Sequence, residues 1–97
     1  MSKEKIDLII EALTDINQML LKKLSLLEGG MFKDYLYYLD GLVVRDYIVN
    51  GTLSKFDDAF IEDLIQVFTN ADLDFEILTN LSNYIKIELV ELKKISN

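Results

Sequence analysis

The sequence predicts an all-α fold, a small antiparallel four-helix bundle in one domain spanning residues 1–97. Three observations carry this. Apolar residues recur at three- and four-residue spacing through the chain. No proline is present to break a helix. Glycines and short polar capping residues stand where the periodic segments begin and end.

The first helix is expected from about Ser2 to Glu28. Ile6, Ile9, Leu13, Ile16, Leu20, Leu24 and Leu27 step along one face. Glu4 suits the positive end of the helix dipole, and Lys22 and Lys23 are expected to suit the negative end. Gly29-Gly30 supplies the left-handed stop.

The second segment, Met31 to Asn50, has two readings. As a helix it places Phe32, Leu36, Leu39, Val43 and Tyr47 in one stripe, widened by Tyr35, Tyr38 and Leu42. As strands it becomes a hairpin within residues 35–49, turning at Asp40-Gly41, which would make the fold α+β. Helix is preferred. The flanks do not alternate polar and apolar, and a lone hairpin would need further strands beside it.

The third helix is expected to start at a capping box formed by Ser54 and Asp57 and to end near Asn70. Phe56, Phe60, Leu64 and Phe68, with Ile61 and Ile65, make its buried face. The fourth is expected from an N-cap at Asp72, with Ile77, Leu78, Leu81, Ile85, Leu89 and Leu92 as its stripe. Lys93 and Lys94 complement its C-terminal end.

A chain of 97 residues buries roughly two-thirds of its unfolded surface, enough for one core. Two features point beyond a monomer. The second segment is apolar nearly all round. Leu8, Met19, Leu21 and Leu26 in the first helix, and Ile87 and Val90 in the last, lie off the main stripes. Exposed apolar patches mark interfaces, so a homodimer is expected, with a heterologous partner as the other solution.

Composition narrows the function. The chain has neither His nor Cys, which removes the commonest general base, the commonest metal ligands and any thiolate nucleophile. Its net charge of −7 opposes direct nucleic-acid binding and favours a protein partner with a basic surface. The first segment carries Asp7, Glu11 and Asp15, unlike a secretory leader, and no apolar run is long enough to span a bilayer, so a cytoplasmic location is expected. Nine Lys against one Arg, with many Ile and Asn, resembles the usage of an AT-rich bacterial, phage or plasmid genome.

Candidate sites follow from this. Residues Asn70 to Glu76 alternate oxygen ligands like the start of a calcium loop, but the sixth and twelfth positions hold Phe75 and Leu81 instead of Gly and Glu. Asp58 and Glu62 share a helix face, yet no Glu-x-x-His pair exists to complete a metal site. No phosphate-binding or nucleophile-elbow motif is present. Asp40 and Asp46 flank Arg45, and mutual pairing or surface exposure accounts for them. The expectation is therefore a chain with no enzymatic activity and no cofactor. The partner-binding candidates are Tyr37, Val44 and Arg45 on the second helix and the acidic group Asp58, Glu62 and Asp63 on the third. The function expected is a protein-interaction module acting as a small regulator or inhibitor. The alternatives are a phage- or plasmid-encoded acidic inhibitor of a nucleic-acid-binding defence protein, and an immunity protein against a toxin or bacteriocin.

Overall fold

The structure, a computed structural model, describes residues 2–28, 37–69 and 74–96, with the backbone alone at 26, 27, 37 and 38. The described residues form four helices and no strand. These are α1 (Lys3–Glu28), α2 (Tyr37–Val49), α3 (Asp58–Thr69) and α4 (Phe75–Ser96).

Each helix start has a local cause. Ser2 caps α1, its hydroxyl accepting the N–H of Lys5 at 3.2 Å. α3 is capped by Asp57, whose carboxylate accepts the N–H of Phe60 at 2.9 Å. Ser54, expected in that role, instead lies in the turn after Gly51, its own N–H donating to the Gly51 carbonyl. A carboxylate adjacent to the first turn outcompetes a hydroxyl three residues further out. Asp74 caps α4, its side chain accepting the N–H of Glu76. The expected cap at Asp72 lies outside the described residues, as do Phe32, Tyr35, Leu36 and the Asn70–Leu73 part of the calcium-loop pattern.

The helices run alternately up and down. Ser96 donates to Asp7 and Ser82 to Asn17, so α1 and α4 are antiparallel. Tyr47 donates to Asp15, and Asp40 acts electrostatically on Lys23, so α2 descends along the second half of α1. Lys55 pairs with Glu88, and Phe60 stacks near Tyr84, so α3 and α4 are antiparallel too. The main packing runs along α1–α4 and α2–α3.

The core is the union of the helix stripes. Ile6, Ile9, Leu13, Ile16 and Leu20 of α1 meet Leu78, Leu81, Ile85, Leu89 and Leu92 of α4, with Phe60, Leu64 and Phe68 of α3. α2 and α3 are about half as long as α1 and α4. Leu53 and Phe56, on the connection between them, fill the space this leaves. Gly51 makes that connection possible by taking φ +77°, the left-handed region.

The helix preferred for the second segment is found as α2, and Asp40-Gly41 sits inside it, where Val44, Tyr47 and Ile48 turn inward together. Other expectations need correction. The inward stripe of α2 is not Leu39–Val43–Tyr47: Leu39 and Val43 are exposed. Lys22 and Lys23 lie more than a turn before the end of α1, and Lys23 is buried. Ile65 is exposed, whereas Met19, set aside as surplus, is core. Leu8, Leu21, Ile87 and Val90 do remain exposed.

Gly41 governs the α2–α3 contact. A Cβ built there would stand 2.9 Å from the backbone oxygen of Phe68, which cannot swing aside. Gly41→Ala would ordinarily strengthen a helix by about 1 kcal/mol. Here the overpacking cost, typically about 1–3 kcal/mol, dominates. Urea denaturation is expected to show Gly41→Ala less stable than the parent. A gain in stability would contradict the close approach.

Candidate functional site

Three helices meet at Phe68. Its backbone oxygen faces Gly41 of α2, and its ring takes the ammonium of Lys23 from α1, 5.1 Å from the ring centroid. Lys23 is 1% exposed. Burial pushes its pKa down to about 8, against the opposing pull of the Asp40 carboxylate. The carboxylate that looked like a partner for Arg45 therefore acts on Lys23 instead.

A hydrogen bond holds the other end of α2. The Tyr47 hydroxyl donates to the Asp15 carboxylate at 2.9 Å. Burial, and then that hydrogen bond, raise the phenol to about 12. Asp40–Lys23 and Tyr47–Asp15 are seven residues apart on α2 and eight on α1, so one edge of α2 is tied to α1 at two heights.

The other edge of α2 is open. Between α2 and α3 runs a groove of about 600 Å³. Val44, Ile48 and Phe68 form its floor, and Leu42, Val49 and Ile65 its apolar rim. Leu42 is 52% exposed, Val49 71% and Ile65 46%. Among the described residues, Arg45 is the single charged one on the lining. Phe68 lines the groove and Lys23 does not, so the lysine with the lowered pKa is not presented there.

The structure separates the expected site residues. Arg45 lines the groove and is exposed. Val44, expected at the surface, is 1% exposed and belongs to the core, because the close approach at Gly41 turns that side of α2 inward. Tyr37 opens α2, but its side chain lies outside the described residues. Asp58, Glu62 and Asp63 are all exposed on α3. Among the described residues no three carboxylates converge as a metal site would require, and no helix is long and apolar enough to cross a membrane. A further cleft, of about 240 Å³, lies between α3 and α4, with Asp57, Asp63 and Tyr84 on its wall.

Sequence reading missed the groove and Lys23. The signal for the groove was present: Leu42 and Val49 are seven apart, on the same face, with Arg45 between them. Lys23 stands seven residues after Ile16 and three after Leu20, on the buried stripe, but its charge reads as surface.

Lys23 gives the fold a pH dependence. Unfolded, its ammonium keeps its proton up to about pH 10.5; folded, it loses it near 8. Between those values the unfolded chain binds more protons, so stability rises with pH. Urea midpoints are expected to increase from pH 7.5 to 9.5 in the parent and to lose that increase in Lys23→Met. A parent curve that is flat or falling over this window would contradict the buried placement. Comparison with protein-family models, with curated proteins and with solved structures finds no match for this chain.

Proposed function

We propose that the chain is a non-enzymatic protein–protein interaction module, a small regulator or inhibitor, that docks its partner on the α2–α3 groove. The observation that supports this is the mismatch between what α2 is and what covers it. Its residues are apolar nearly all round, yet among the described residues α1 and α3 cover one side only, and Leu39, Leu42, Val43 and Val49 are exposed. Helices of this composition are ordinarily buried, and contiguous exposed apolar surface marks an interface. A trough between two antiparallel helices is the shape that receives a third helix.

The expected homodimer becomes a specific statement here, since a second copy is one possible occupant of this face. The acidic residues Asp58, Glu62 and Asp63 could serve a basic partner, as an inhibitor of a nucleic-acid-binding protein requires. Exposed carboxylates are also the ordinary surface of an acidic chain, so the groove is the better-supported surface. The lack of His and Cys weighs against catalysis.

Two variants separate the surfaces. Leu42→Gln with Val49→Gln removes the apolar rim without adding charge. Asp58→Asn, Glu62→Gln and Asp63→Asn together remove the acidic face. Burying a Leu or Val side chain is worth about 1.5–3 kcal/mol, so the rim variant should weaken binding of a partner recovered from host extract by about tenfold or more. The acidic-face variant should keep most of it. A partner held equally by the rim variant, or lost only by the acidic-face variant, would overturn the assignment.

A further inference from the structure

The groove also specifies what it accepts. Resting on its assignment as the docking site, we infer that the occupant is a helix of a partner protein that carries a carboxylate beside its apolar stripe, read by Arg45.

Arg45 is the chain's single arginine, and it stands on the rim of this apolar groove. Its neighbours on the same helix face, at three and four residues in either direction, are Gly41, Leu42, Ile48 and Val49. None can neutralise it. Asp46 is adjacent in sequence but points about 100° away around the helix. The ion pairs seen among the described residues are Lys55–Glu88 and Lys94–Glu91, and neither involves Arg45. In a chain of net charge −7, the groove thus carries one cation that no carboxylate among the described residues meets.

A guanidinium is weakly hydrated and presents a planar fork that matches a carboxylate. Arginine is enriched among the residues that carry binding energy at interfaces. Leu42, Arg45 and Val49 run along about two helical turns, roughly 10 Å, with Ile65 and Thr69 on the facing ridge. That length seats two or three apolar side chains of a docked helix and sets one flanking position opposite Arg45. The preference is opposite to that of the acidic α3 surface, which would attract bases.

Two synthetic amphipathic helical peptides test this. They share a Leu stripe at i, i+3 and i+7 and differ at one flanking position, Glu in one and Lys in the other. Binding is measured by isothermal titration and mapped by amide NMR shifts on the full chain. The Glu peptide should bind about tenfold more tightly at low salt, with shifts at Leu42, Arg45, Val49 and Ile65. Arg45→Glu should invert the preference, and the Leu42→Gln, Val49→Gln chain should lose both peptides. Equal affinities that Arg45→Glu does not change would overturn the role of Arg45 while leaving the groove assignment standing. Absence of binding at millimolar peptide, or shifts mapping elsewhere, would overturn both. Light scattering that gives a dimer dissolved by the rim variant would show that a second copy occupies the groove, and would overturn the partner helix.

Discussion

α2 can lie against α3 only because residue 41 has no side chain. The gap between Gly41 and the Phe68 carbonyl is too small for a methyl group, so the two helices are in backbone contact there. The rest of α2 follows from that point. With Gly41 against α3, Val44 and Ile48 turn inward and Tyr47 reaches Asp15. Asp40 falls within electrostatic range of Lys23. The same rotation turns Leu42 and Val49 outward. A close crossing at one end of a helix pair thus makes both the junction at Phe68 and the open trough beside it.

The junction is polar where a simple bundle would be apolar. A buried ammonium loses solvation, and the lowered pKa of Lys23 records that cost. The Phe68 ring and the Asp40 carboxylate offset part of it. Such an arrangement contributes little net stability beside an apolar side chain of similar volume. Its physical effect is on placement: Asp40 meets Lys23 in one register of α2 on α1, and Tyr47 meets Asp15 in the same register. One hydrogen bond and one charge attraction about two turns apart discriminate against a slipped α2 in a way that Leu-on-Leu packing does not.

Much of this architecture was legible in the sequence. The stripes of α1, α3 and α4 come almost directly from the three-and-four spacing, because each of these helices has one apolar face and one polar face. α2 resisted because its apolar residues surround it, so periodicity could not say which side goes in. Asp40-Gly41 reads locally as a turn, and only the packing of Gly41 on Phe68 shows why a glycine stands inside a helix. Lys23 sat one residue from Lys22 and resembled a solvent-facing pair. Its burial depends on two helices distant in sequence. Ser54 lost its capping role to Asp57, a competition between neighbours that geometry decides. Of the expected site residues, Arg45 stayed at the surface and Val44 went to the core, since the two differ by about 100° around the helix.

The Leu42–Val49 face of α2 stands open in the free chain while Val44, two residues along from Leu42, is buried. Methyl-detected NMR with a soluble paramagnetic co-solute measures this directly. Strong relaxation at the methyls of Leu42, Val49 and Ile65, with protection of Val44 and Leu64, is the expected pattern at low protein concentration. Protection of Leu42 and Val49, or relaxation of Val44, would contradict the placement of α2 from which the groove follows.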